Sequence, residues 1–162
     1  MIVPFTELDA SSRVWIFQAD VELNDTLATE MKQELFEFLE EWTAHNVALY
    51  TSGDIFYNRF IVIMVDERFQ NASGCSLDTL NRFLSHLEKK YSVALLDRMA
   101  VAYQLAGTDK IETVHLHQLG QSAKDGSIDA QTLVFNNLVK SKSEFENSWK
   151  TKIVDSWHQR FM

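Results

Sequence analysis

The strongest constraint on this chain is an uninterrupted apolar run, Phe60 to Val65, which reads FIVIMV. Its β-branched residues favour a strand, and we predict that this strand spans Arg59 to Val65. A strand that is apolar on both sides must be covered on both faces, so it belongs in the middle of a sheet. Val14 to Ala19, which reads VWIFQA, has the same character and is predicted as a second covered strand.

Two amphipathic helices are predicted from apolar positions that recur at intervals of three and four residues. The first begins at the N-cap candidates Asn24 and Asp25 and ends near His45 and Asn46. Its apolar stripe consists of Leu27, Met31, Leu35, Phe38, Leu39 and Trp42. The second helix follows the loop at 71–76, and its stripe consists of Leu77, Leu80, Leu84, Leu87 and Tyr91.

Further short strands are predicted at 47–50, 55–57, 93–96 and 99–105, with a turn at Thr51 to Asp54. The resulting order, strand, helix, strand, strand, helix, strand, is that of the split β-α-β motif. We therefore expect an α+β fold, specifically a ferredoxin-like sandwich. In that fold both helices cover one face of a mostly antiparallel sheet.

The last third of the chain is predicted to be a helical extension of this core. A helix is expected over Ile111 to Lys124, and Leu133 to Val139 is an apolar segment of unassigned type. Ser143 and Glu146 have the spacing of a capping box and predict a final helix, whose large aromatic residues should dock on the domain or on a partner. With no repeat and no linker, residues 1–162 are interpreted as one domain, with a core at about 10–106 and an extension at about 107–162.

Composition excludes several classes of function. Twenty-three acidic residues against 15 Lys and Arg give a net charge of -8. Proteins that bind polyanions need basic residues to neutralise phosphates, so neither nucleic acid nor membrane is expected as a partner. The single cysteine excludes an internal disulfide and a thiolate-rich zinc cluster. No apolar run could span a bilayer and no signal segment opens the chain, so we expect a soluble, cytoplasmic protein.

Cys75 is the first candidate for chemistry, because it precedes the second predicted helix. A thiol at a helix N-terminus lies in the positive field of the helix dipole, which favours the thiolate. Glycine beside it would allow a ligand to approach the backbone closely. The candidate ligand-binding residues are Ser73, Gly74, Cys75 and Ser76. The alternative is that Cys75 is a small buried residue in a turn and that Ser76 is the N-cap.

A nucleophilic Cys75 would need a general base and a group to orient it. His45 and His158 are the candidate bases, and Asp66 and Glu67 are the candidate orienting groups.

His115 and His117 form a second candidate, a His-hydrophobe-His pattern. On a strand both imidazoles would lie on one face, within reach of one divalent metal. Such a pattern resembles that of single-strand DNA nickases, which also use a ferredoxin-like core. The segment is predicted as a helix, however, where residues two apart point in different directions. We therefore assign no metal, and no cofactor, to the chain.

Several segments together resemble a family of small bacterial proteins of unknown function, whose members are often labelled "ABC transporter ATPase". The matching segments are Val14–Ala19, Trp42–His45, Val65–Glu67, Ser73–Ser76, Phe135–Val139 and Ser156–His158. The chain contains no Walker A motif, so the label implies no ATPase activity here. The resemblance implies no catalytic residue either.

No constellation of residues with catalytic spacing stands out from the rest of the chain. The leading hypothesis is therefore a non-catalytic domain that binds a ligand or a protein, as a homodimer or with another partner. The alternative is a cysteine-dependent enzyme or redox protein that uses Cys75. A third hypothesis is metal binding through His115 and His117.

Overall fold

The computed structural model describes residues 1–162 and contains nine strands and four α-helices. The strands are β1 (Arg13–Gln18), β2 (Thr43–Ala44), β3 (Val47–Ala48), β4 (Thr51–Phe56), β5 (Phe60–Val65), β6 (Ala100–Gln104), β7 (Ile111–His115), β8 (Leu133–Phe135) and β9 (Lys150–Lys152). The helices are α1 (Asp25–Glu41), α2 (Gly74–Tyr91), α3 (Leu119–Lys124) and α4 (Lys142–Ser148). Every strand pair is antiparallel, so the expected mixed α+β class is confirmed.

The first sheet has the strand order β1-β5-β4, with the apolar run Phe60–Val65 at its centre as expected. Alternate residues of these strands, including Phe17, Ile61 and Ile63, form one apolar cluster with the buried stripes of α1 and α2. Both long helices therefore cover the same face of this sheet. None of the helices combines the length and the apolar character needed to cross a lipid bilayer.

The opposite face of the first sheet packs on a second sheet with the order β7-β6-β8-β9. Ile16, Phe60 and Met64 share a cluster there with Phe135 of β8 and with Trp149, which follows α4. The far side of the second sheet is covered by α3 and by 3-10 turns at Leu116–Gln118, Ile153–Asp155 and Trp157–Phe161. The first sheet is thus covered on both faces, as its sequence required.

The strand predicted at 99–105 is present as β6, but its neighbours differ from those in a ferredoxin-like sheet. It pairs with β7 and β8 instead of extending the first sheet beside β1. Because β7 follows β6 after a short turn that contains Gly107 at φ +72°, the two form a local hairpin. A ferredoxin-like arrangement is therefore not confirmed.

The predicted turn at Thr51 to Asp54 is wrong, because these residues belong to the continuous strand β4. Position 53 of this strand is occupied by glycine because α1 packs too close to it for a larger side chain. A Cβ atom at Gly53 would lie 2.7 Å from Leu39 Cδ1 and 3.2 Å from the carbonyl oxygen of Val62. Here glycine marks a close helix–strand contact, which sequence alone does not distinguish from a turn.

The predicted helix over Ile111 to Lys124 is wrong in its first half, where β7 pairs with β6. The β-branched residues Thr113 and Val114 favour the extended form, and α3 includes only Leu119–Lys124. The final helix begins earlier than predicted, because Ser141 is its N-cap and its Oγ accepts from the N–H of Glu144. The extension thus contributes three strands, β7, β8 and β9, as well as short helices.

Candidate functional site

The backbone of β1 is unpaired in the middle of its outer edge. Successive residues of an antiparallel strand direct their N–H and C=O groups alternately toward the partner and away from it. The N–H of Ala19 donates to the carbonyl of Arg59 at 2.7 Å. The backbone groups of the odd-numbered residues of β1 therefore point toward β5 and form the hydrogen bonds between the two strands. Ile16 and Gln18 therefore direct their backbone groups away from β5, the only strand beside β1 in its sheet.

Both ends of the same edge are closed by backbone from elsewhere in the chain. The N–H of Val14 donates to the carbonyl of Lys140 at 3.0 Å, and the N–H of Asp20 donates to the carbonyl of Ala94 at 3.0 Å. Between these two closures is a gap, in which the outward-facing backbone groups of Ile16 and Gln18 have no hydrogen-bond partner.

A groove, which we call the β1-edge groove, runs along this gap. Its narrow end is a cavity of about 50 Å³ between β1, the loop 95–98 and the C-terminal segment. Its wide end, about 290 Å³, adjoins the narrow end at Arg98 and Leu138 and extends to Arg13 and Lys140.

Amide side chains fix the walls of the narrow end relative to one another. Gln18, which is buried, donates to the carbonyl of Ala100 and accepts from Asn137 Nδ2 at 3.0 Å. Asn137 in turn accepts from Trp149 Nε1 at 3.0 Å. These bonds connect β1, β6 and the segment after β8, so the groove has a rigid, preformed wall.

His158 forms the polar end of the narrow cavity. Its ring is 2% exposed and stacks on Trp157, and its Nδ1 lies 2.6 Å from Ser156 Oγ. Burial lowers the pKa of His158 to about 4, so the imidazole is neutral at pH 7. Its second nitrogen, Nε2, makes no hydrogen bond with the protein and is available to a ligand.

The wide end is lined by cations and by no carboxylate. Arg13, Arg98 and Lys140 line it, and none of the three belongs to an ion pair. In a chain with a net charge of -8, such a concave basic region is well suited to a carboxylate ligand.

Cys75 lies outside this groove, in the first turn of α2, and it is exposed to solvent. Ser73 is the N-cap of the helix, with its Oγ accepting from the N–H of Ser76, while Ser76 Oγ accepts from the N–H of Ser73. The interpretation of Cys75 as a buried residue ahead of a Ser76 N-cap is therefore wrong. The Cys75 sulfur makes no hydrogen bond with any histidine or carboxylate.

The structure does not bring the other candidates together around Cys75. His45 is exposed in the tight turn between β2 and β3, at φ +52°, whereas His158 lies in the β1-edge groove. Glu67 accepts from the N–H of Ala72 at 2.9 Å and thereby orders the loop before α2.

Asp66 has a structural environment at the end of β5. It is 1% exposed and accepts from the Arg68 guanidinium at 2.8 Å and from the N–H of Asp9 at 3.2 Å. The hydrogen bonds from Arg68 lower the pKa of Asp66 to about 2. This carboxylate therefore anchors the N-terminal segment to the first sheet.

His115 and His117 lie close together, with ring centroids 5.1 Å apart. His115 ends β7, and its Nδ1 accepts from the N–H of His117 at 3.2 Å, so one ring nitrogen is already engaged. No third His, Cys, Asp or Glu joins them to form a group that could hold a metal ion.

Sequence reasoning missed most of the groove. Gln18 and Asn137 belong to segments that were singled out, and a Gln within the apolar run VWIFQA is a detectable irregularity. Their hydrogen bond joins residues 119 positions apart, however, and no local pattern predicts such a pairing.

Comparison with protein-family models, with curated proteins and with solved structures found no match to this chain. The resemblance to the family of small bacterial proteins therefore stays a prediction.

Proposed function

We propose that this chain is a non-catalytic binding domain whose β1-edge groove binds a short, extended peptide that bears a carboxylate. The observation that supports this most directly is the unpaired edge at Ile16 and Gln18, two buried residues. A buried backbone group without a partner costs about 1–3 kcal/mol. An extended peptide presents N–H and C=O groups at the matching spacing, and it would pair with this edge as an added strand.

The closed ends of the edge set the length of the bound segment. Val14 and Asp20 are six residues apart, which corresponds to about 20 Å of extended strand. Only Ile16 and Gln18 face outward between them, so about three peptide residues can pair. A second copy of β1 could not align along this edge, because Lys140 and Ala94 already occupy its ends. We therefore favour a peptide of another protein over a homodimer formed through this edge.

The charge of the groove favours a carboxylate on that peptide. Arg13, Arg98 and Lys140 at the wide end would attract it. Arg98 also borders the narrow end, where Asp97 is the one carboxylate of the lining, so the peptide carboxylate belongs at the wide end. The narrow cavity, walled by Phe135, Trp157 and other apolar side chains, would receive a small apolar side chain. Nε2 of His158 would form a hydrogen bond with the peptide at that end.

The alternative, an enzyme or redox protein that uses Cys75, has weaker support. Exposure of Cys75 in the first turn of an 18-residue helix is compatible with a reactive thiol. No base lies within hydrogen-bonding distance of its sulfur, so substrate or a partner would have to supply one. We also propose a cytoplasmic location, where the single cysteine would stay a free thiol.

The test is an amide NMR titration with a positional-scanning library of acetylated tetrapeptides, each with a free carboxyl terminus. We expect saturable shifts at the amides of Ile16 and Gln18. Arg98→Gln should weaken binding about tenfold, the loss expected for one charged hydrogen bond. Arg82→Gln removes a cation that lies on α2, outside the groove, and should leave the affinity unchanged.

An amidated copy of the library separates a terminal carboxylate from an acidic side chain as the recognised group. Absence of saturable shifts at β1 with both libraries would contradict the proposal, as would equal binding by the Arg98→Gln variant.

A further inference from the structure

Arg59 is a buried cation without a counter-ion. It immediately precedes β5 and is 8% exposed. Its Nη2 donates to the carbonyl of Ile111 at 3.3 Å, and its Nε is buried without any partner. No carboxylate of the chain lies within ion-pair distance of the guanidinium.

An unpaired buried guanidinium is unusual because removing a charge from water is costly unless an opposite charge compensates it. In most proteins the compensating group is a carboxylate of the same chain. Here 23 acidic residues are available, yet none pairs with Arg59. Apart from the buried Nε, the guanidinium therefore keeps N–H groups on Nη1 that no acceptor of the chain uses.

Arg59 forms part of the wall of an open cleft of about 850 Å³, which lies between two hairpin turns. One wall is the β4–β5 turn, where Tyr57 and Asn58 adopt φ of +55° and +50°. The other wall is the β6–β7 turn with Lys110. Positive φ at both positions of the β4–β5 turn is what a tight hairpin turn requires, and the N–H of Arg59 closes this turn by donating to the carbonyl of Phe56 at 3.0 Å.

The charges around the cleft restrict the anion that it can accept. Glu22, Asp109 and Glu112 line it and are exposed, whereas Lys110 is the only cation besides Arg59. Three carboxylates would repel a dianion such as phosphate, but they would attract an ammonium group. A ligand with one carboxylate and one ammonium group satisfies both requirements.

We propose that this cleft is a second binding site, which takes a small zwitterion of the α-amino acid type. The Arg59 guanidinium binds its carboxylate through Nη1, which makes no hydrogen bond with the protein. Glu22, Asp109 and Glu112 hold its ammonium group. This site uses none of the residues of the β1-edge groove, so the two proposals succeed or fail separately.

The test uses glycine, acetate and inorganic phosphate as probes, titrated at constant ionic strength and followed by amide NMR. We expect saturable shifts at Asn58 and Ile111, with glycine binding more tightly than acetate and phosphate most weakly. Arg59→Gln should reduce glycine affinity at least about tenfold. Lys89→Gln, which removes an exposed cation of α2 outside the cleft, should change it less than twofold.

A second variant separates the proposal from loss of folding in Arg59→Gln. Glu112→Gln leaves Arg59 in place and should weaken glycine binding while it leaves acetate binding unchanged or stronger. The Arg59 side-chain N–H resonances of the wild-type protein should also shift as glycine is added. Unshifted Arg59 resonances, or equal affinity of the wild type and the Arg59→Gln variant for glycine, would overturn the proposal.

Discussion

Single buried polar residues distinguish the parts of this molecule that hold the fold from those that are open to a ligand. The Asp66 carboxylate accepts hydrogen bonds from Arg68 and from the N–H of Asp9, and Gln18 joins two walls of the groove through its amide. His158 and Arg59, by contrast, each retain a nitrogen without a partner. The composition predicts none of this, because the environment of each residue depends on segments remote in sequence.

At the residue scale, acidification should destabilise the chain through His158. Burial lowers the pKa of His158 to about 4 in the folded protein, against 6.5 for an ordinary histidine. The unfolded chain therefore binds the proton more readily, and stability present above pH 6.5 is lost as the pH falls toward 4. The expected loss is about 3 kcal/mol at most.

Urea unfolding of the wild type and of His158→Gln between pH 7 and pH 4.5 measures this effect. The variant should lose most of the pH dependence in that range, whereas His117→Gln, at an exposed position, should retain it. Asp66 does not affect the free energy of unfolding in this range, because the stability that it contributes is lost only as the pH falls from about 3.8 toward its folded pKa of about 2. A His158→Gln variant with the same pH dependence as the wild type would contradict the prediction.

At the scale of elements, the sequence predicts those whose periodicity is long and regular. Both long helices and β5 lie close to their predicted positions, because each presents a continuous apolar stripe or run. The first half of β4 and the whole of β7 were missed, because the contacts that determine them are tertiary. Gly53 looks like a turn residue until α1 packs against it, and the strand form of Thr113 and Val114 depends on the partner β6.

Gly53→Ala should destabilise the fold by about 1–3 kcal/mol, because the added methyl group overpacks the contact between α1 and β4. Gly74→Ala is the matched control, since a Cβ at Gly74 meets nothing within 4 Å and should cost no stability. Thermal or urea unfolding of both variants measures the difference. Equal stability of the two would show that α1 and β4 separate to accommodate the methyl group.

At the scale of the whole molecule, the two sheets share one apolar cluster that neither could form alone. Phe60 of the first sheet packs on Phe135 of the second, with ring centroids 4.7 Å apart, and Trp149 contacts both. The sequence predicts that the first sheet is covered on both faces. It does not predict that a second sheet covers one of them. The second sheet and the β1-edge groove both arise from that unpredicted packing.

Phe135→Ala should lower the free energy of unfolding by about 3–5 kcal/mol and should do so for the whole chain at once. Native-state hydrogen exchange would then show the same loss of protection in α2 as in β6, although α2 lies on the far side of the first sheet. Unchanged protection in α2 would mean that the two sheets unfold separately, and the prediction of a single domain would be wrong.

The closures at the two ends of β1 also bear on how the chain avoids aggregation. An unprotected strand edge is a template on which other chains can add, and here only two residues of that edge stay open. The closing residue Lys140 lies more than 120 positions after β1, so it docks only after a long loop has closed. While that closure is unmade β1 presents a longer bare edge, so we expect refolding at high concentration to give more misassembly than refolding of the dilute chain.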